Sequence, residues 1–200
     1  SLKNRSLTSI SSSGIPNVGW TAAFSFNDPE EIQSFQDILK TGTDAFESVF
    51  GYRSESFTPP TQQFPEVLER SLKDYGIKNL DKPFTHKRHL GNGKYKREFN
   101  FLGRNKSTGL NTIVRNVVFE PTNGNIDHVE KALQQIQAAF TLGKPANISS
   151  HRVNFCGFID EKNRKKGLAD LKELLSRIVS KWPDVEFVSV VELGRIMRED

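Results

Sequence analysis

Residues 54–80 read SESFTPPTQQFPEVLERSLKDYGIKNL, and this stretch decides the fold. Ser54 to Thr58 is a short strand, and Pro59-Pro60 ends it because proline cannot continue a central ladder. Pro65 to Tyr75 follows as a helix, with Val67, Leu68 and Leu72 on one face and Gly76 as its stop. Ile77 to Leu80 is a second strand. Strand, helix and strand in this order form a βαβ unit, and repeats of it with right-handed crossovers give a parallel sheet.

The same alternation extends outward. Upstream, Trp20 to Phe26 is a buried strand and Ser1 to about residue 19 a loop or cut end. Asp28 caps a helix carrying Pro29 in its first turn. Ile32, Phe35, Ile38 and Leu39 recur at helical spacing, Gly42 interrupts, and Phe46, Val49 and Phe50 continue to Gly51. Downstream, 84–90 and 95–102 flank Gly91-Asn92-Gly93, a hairpin turn signal. From Lys82 to Lys106 there are eight Lys or Arg against one acid, Glu98, so the hairpin at 84–102 reads as inserted and solvated, with a hold on an anionic glycan or nucleic acid as the alternative. Thr112 to Phe119 is a strand. Ile126 to Leu142 is a helix with Val129, Leu133, Ile136 and Phe140 inward. Ala146 to Ser150 is a strand. Asp160 to Lys181 is a helix with Leu168, Leu171, Leu175 and Ile178 inward. Val185 to Val190 is a strand, and Val191 to Met197 the last helix. The expectation is one α/β domain over 1–200, with mainly parallel strands.

Composition excludes several classes. At 200 residues with 36% hydrophobic, 26% charged and 15 Phe, the chain is globular rather than disordered. No apolar run approaches the ~18 residues of a membrane-spanning helix. One cysteine, Cys156, excludes an intramolecular disulfide and a metal site of several thiolates. A net charge of +4 is too mild to imply nucleic acid as a partner. The compartment stays open. Neither G-x-G-x-x-G nor G-x-x-x-x-G-K-[ST] is present, so dinucleotide and P-loop readings lack support.

Parallel α/β folds place chemistry at the C-terminal ends of their strands. His151, closing the 146–150 strand, is the candidate general acid or base. Arg152 is a candidate anion clamp and Asn154 a donor to sugar hydroxyls; a loop-capping cluster is the alternative. Arg115 with Glu120 or Glu55 is either a substrate contact or a structural ion pair. Thr58 points into the site or merely ends its strand. His86 and His89 read as solvated histidines, with a metal pair as the alternative; His128 reads as a surface histidine, and Cys156 as a packed or idle thiol, with a nucleophile beside His151 and Arg152 as the alternative.

Phe57-Thr58-Pro59-Pro60, Pro65-Glu66-Val67-Leu68 and Gly76-Ile77 resemble the third motif region of the polysaccharide deacetylases. Ile148-Ser149-Ser150-His151 resembles that family's last motif, whose histidine protonates the leaving amine. Trp182 to Ser189, then Glu192-Leu193, resembles the final strand and helix of its distorted (β/α) barrel. The resemblance spans about residues 50 to 198. It implies an incomplete or distorted (β/α) barrel that hydrolyses acetyl groups on a carbohydrate, with His151 catalytic and Arg115, Glu120, Arg152, Asn154 and Thr58 along the sugar. It also implies a divalent, zinc-type metal in the full-length protein. The family's Asp-Asp and H-x-x-x-H metal motifs are absent here, and Thr58 stands where the family has arginine. Either those motifs lie upstream in a missing N-terminal segment, or the fold is used without them. Two other readings stand beside this one: a glycoside hydrolase with Glu120 and Glu55 as its carboxylate pair, and a barrel that only binds glycans or a protein. No membrane partner is expected.

Overall fold

A computed structural model describes residues 23, 24, 26, 28–90 and 94–199. In chain order the elements are α1 (Glu31–Phe50), β1 (Ser56–Phe57), α2 (Glu69–Asp74), β2 (Asn79–Lys82), β3 (Thr85–His89), β4 (Tyr95–Phe99), β5 (Gly103–Arg104), β6 (Asn111–Val114), β7 (Val117–Val118), α3 (His128–Thr141), β8 (Ile148–Ser149), α4 (Glu161–Lys181) and α5 (Val190–Glu199). Short 3₁₀ turns cover Pro60–Gln62, Glu66–Leu68 and Arg152–Phe155. These elements fall into two compact units. One runs to Val114 and resumes at Val188; the other is Arg115–Phe187. The expected loop over 1–19, most of the expected strand over 20–26 and the 91–93 turn lie outside the described residues.

The first unit holds a four-stranded sheet in the order β1-β2-β6-β5. β1, β2 and β6 are parallel, with Ser56 opposite Asn79 and Asn79 opposite Asn111; β5 is antiparallel to β6. The βαβ unit of residues 54–80 is therefore present. Its second strand starts at Asn79 rather than Ile77, because the helix closure uses the intervening residues. Gly76 turns left-handed (φ 93°), its N–H reaches Lys73 O at 3.0 Å, and Ile77 N–H reaches Leu72 O at 3.0 Å. This is a Schellman closure, and only glycine takes its φ without strain. Leu68 and Leu72 are buried against Leu80 and Phe35, whereas Val67, expected inward, is exposed.

Gly42 does not break α1. A helix-interior glycine costs only about 1 kcal/mol, and the burial of Phe35 and Leu39 on the same helix outweighs that. Asp28 Oδ1 accepts from Glu30 N–H at 3.1 Å while Glu31 Oε1 accepts from Asp28 N–H at 3.0 Å. That reciprocal capping holds the entry turn.

The second unit is a smaller βαβ: β7 and β8 are parallel, with Val117 opposite Ile148, and α3 joins them. The strand expected over 112–119 is divided, β6 pairing in the first unit's sheet and β7 in this one. At the break Asn116 accepts from Asn147 N–H at 2.7 Å and donates to Pro145 O at 2.9 Å, so its side chain replaces ladder bonds. The inward face of α4 is Gly167, Leu174 and Ile178. Leu168 and Leu175, expected inward, are exposed. Gly167 sets this phase, since a Cβ there would lie 1.9 Å from Asn154 O. His128, expected at the surface, is buried with Nε2 2.6 Å from Asn123 O.

The strand expected over 185–190 is not formed. Ser189 Oγ accepts from Glu192 N–H at 3.2 Å and Glu192 accepts from Ser189 N–H at 2.7 Å. This capping box starts α5 at Val190 and takes the valine pair into a helix. The fold is thus mixed α/β with parallel strands, and the described residues form no closed barrel.

Candidate functional site

The second unit gathers its polar side chains at the C-terminal ends of β7 and β8. Phe119 is buried and its N–H donates to Ser149 O at 2.9 Å. Parallel pairing therefore carries Glu120, one residue past Phe119, to the level of His151. His151 Nδ1 lies 2.7 Å from Glu120 Oε1. An ionised carboxylate can only accept, so Nδ1 carries the proton and Nε2 is the nitrogen left for another partner. The imidazole is 72% exposed while the Glu120 side chain is 16% exposed. The sheltered carboxylate thus orients an accessible ring.

Asn154, in the 3₁₀ turn after His151, fixes the other end of Glu120. Its Nδ2 donates to Glu120 Oε2 at 2.5 Å and to His151 O at 2.8 Å. Its Oδ1 accepts from Thr122 Oγ1 at 2.7 Å and Thr122 N–H at 3.3 Å. The amide expected to meet sugar hydroxyls is engaged at both ends within the protein, and the residue is 1% exposed. Asn163 on α4 donates to Val153 O and, at 3.1 Å, to Cys156 O, which ties the turn to the helix. Arg152 is exposed beside His151. Arg115 donates to Ser149 Oγ at 3.4 Å. The structure thus brings Glu120, His151 and Asn154 together, and places Arg115 and Arg152 on the flanking segments.

Thr58 belongs to the first unit. There it donates to Asp81 Oδ2 at 3.4 Å, and Gln62 Nε2 donates to Asp81 Oδ1 at 2.9 Å. Thr61 and Gln62 are consecutive non-glycine residues in the left-handed region, at φ 56° and 54°. Such strain persists only where surroundings over-determine it. Next along β2, Lys82 pairs with the nearly fully buried Glu69. Burial pushes the Glu69 carboxyl above its usual range, against the pull of Lys82. Sequence reading passed over Asp81 and Glu69. The signal for Asp81 is its position at a parallel strand end, while a carboxylate buried in the first turn of a helix carries none, since acids there are ordinarily exposed partners of the helix end. Glu55, the other carboxylate considered, is also in the first unit. Its hydrogen bond to Lys78 at 3.0 Å holds its carboxyl low, aided by Arg195 at 3.8 Å.

Among the described residues, no group of three or more His, Cys, Asp or Glu is placed to hold a metal ion. No helix among them is long and apolar enough to cross a membrane.

No family model matches the chain, and no curated protein matches it. Among solved structures it is similar to one described as a "putative polysaccharide deacetylase from Mycobacterium smegmatis", with a TM-score of 0.54 and 13% identity. The match covers 84% of this chain and 57% of that one. The chain therefore spans a little over half the length of the structure it matches. The likeness is one of fold.

Proposed function

We propose that Glu120 and His151 form the acid–base pair of a carbohydrate deacetylase related to the polysaccharide deacetylases. The observation that carries this reading is the 2.7 Å contact between a sheltered carboxylate and an exposed imidazole at parallel strand ends. The fold likeness to the mycobacterial structure supports the substrate class. In this reading His151 Nε2 delivers a proton to the departing sugar amine or alcohol. Glu120 stabilises the imidazolium while that proton is held, and Asn154 keeps Glu120 in place. Arg152 and Arg115 meet the sugar's oxygens. The distorted barrel belongs to the same proposal.

In metal-dependent hydrolases a divalent ion polarises the carbonyl and activates water. The described residues do not offer its ligand set, so such an ion would have to be held from elsewhere in the protein, and no step is routed through it. The glycoside hydrolase reading has less support, because Glu120 is engaged by His151 and Asn154 and Glu55 by Lys78. Acetate release from a panel of N- and O-acetylated oligosaccharides, by the wild type and by His151→Ala, tests the proposal. The expected result is release that falls about 10²–10⁴-fold in the variant. No release from any member of the panel would leave a carbohydrate-binding role instead.

A further inference from the structure

The basic hairpin sorts its side chains by face. Cross-strand partners share a face and successive residues alternate. The pairs His86↔Glu98 and Arg88↔Lys96 therefore lie on one side, and Thr85↔Phe99 with Arg97 on the other. On the first side the charges pair with acids. Arg88 bonds Glu66 and lies 3.2 Å from Glu98, and Lys96 lies 3.6 Å from Glu98. On the second side Phe99 is 59% exposed. Its ring centre is 5.7 Å from that of Phe84, which is 5.8 Å from that of Phe101, and those two are 51% and 69% exposed. On this side Arg97 has no acidic partner within 4.0 Å among the described residues. A cluster of exposed rings beside an unpaired cation, on a hairpin with a basic excess, marks a binding surface rather than a solvated face.

We infer that this face of the hairpin binds an anionic polysaccharide. The apolar C–H faces of sugar rings stack on Phe84, Phe99 and Phe101, while carboxylate or sulfate substituents meet Arg97. Charge complementarity selects an anionic chain. Ring geometry selects a sugar over a nucleobase: the rings are inclined by 57° and 82°. They make a faceted surface, not a flat-sided slot for a planar base. The choice of carbohydrate rests on the deacetylase reading, whereas the ring cluster and Arg97 stand without it.

Affinity electrophoresis with three unacetylated probes tests the inference: polygalacturonate, neutral dextran and poly(dT). Polygalacturonate is expected to bind most tightly. The Phe99→Ala, Phe101→Ala double variant should lose roughly tenfold in that affinity, with an unchanged circular dichroism spectrum and thermal midpoint. Arg97→Gln should weaken binding and flatten its salt dependence. Undiminished affinity in both variants overturns the inference. So does dextran binding as tightly as polygalacturonate, or poly(dT) binding more tightly with the same dependence on the rings. Because no probe carries acetyl groups, the two readings fail separately. Ring-dependent binding without acetate release overturns the catalytic proposal alone, and acetate release without ring-dependent binding overturns this one alone.

Discussion

Asn154 fills the space between Glu120, Thr122 and the His151 carbonyl, with each polar atom of its side chain at hydrogen-bond distance from a partner. Asn154→Asp keeps the shape but replaces the donor to Glu120 with a second carboxylate. Two buried carboxylates in contact cannot both ionise cheaply. The variant is expected to lose about 2–4 kcal/mol at neutral pH and to recover part of that on acidification, as chemical denaturation at two pH values would show. Unchanged stability at both would mean that Asn154 does not hold Glu120. His151 and Glu120 were each legible as candidates from their positions after apolar strands. Their pairing was not, because it depends on the β7–β8 register, and two-residue strands carry too little pattern to set one.

Elements were legible where local rules and tertiary packing agree. α3 begins at His128, capped by Asp127, whose Oδ1 accepts from Glu130 N–H at 2.8 Å, close to the expected start at residue 126. The strand expected over 185–190 failed because a run of valines outweighed the Ser189–Glu192 capping box. In α4, Leu171 and Ile178 face the core as read, whereas Leu168 and Leu175 were taken in place of Gly167 and Leu174, because a buried glycine has no hydrophobicity to count. Gly167→Ala tests that packing. The added methyl meets the Asn154 carbonyl, which is backbone and has little room to move. A loss of about 2 kcal/mol or more is expected in thermal unfolding, with lowered activity through the displaced 3₁₀ turn. A neutral result would show that α4 does not approach the turn so closely.

The hairpin adds a pH signature. Burial holds the His86 imidazole below its ordinary value of 6.5, against the pull of Glu98 and Glu66 and with Lys82 and Arg88 acting in the same direction as burial. The folded form therefore binds this proton less readily than the unfolded form. Its contribution is present above pH 6.5 and is lost as pH falls through the lowered folded value. His86→Gln should flatten the acid limb of the stability profile below about pH 6.5, measured by urea unfolding from pH 7.5 to 4.5. An unaltered acid limb would place the titrating groups elsewhere.

At the scale of the molecule, the first unit is discontinuous in sequence, since its sheet is covered by the last helix. Asn111 Nδ2 donates to Asn79 Oδ1 at 2.9 Å and to Gly194 O at 2.8 Å, joining β6, β2 and α5. A Cβ at Gly194 would lie 1.9 Å from Asn79 Oδ1. Gly194→Ala is expected to cost about 2–3 kcal/mol and to lower the unfolding transition of this unit, observable as early loss of amide protection in β2 and β6. Protection equal to wild type would mean that α5 does not close the sheet. The α/β class and the parallel strands followed from the 54–80 stretch. The return of α5 to the first unit did not, because contact between residues 79 and 194 leaves no local trace.

The catalytic proposal rests on Glu120 and His151 working as one device, which a double-mutant cycle on acetate release reads directly. His151→Ala should lower kcat about 10²–10⁴-fold with KM little changed, because the proton is delivered in the transition state. Glu120→Gln should lower kcat by a smaller factor in the wild type and by none in the His151→Ala background. A Glu120→Gln loss of the same size in both backgrounds, or wild-type kcat in His151→Ala, would contradict the pair as the acid–base element.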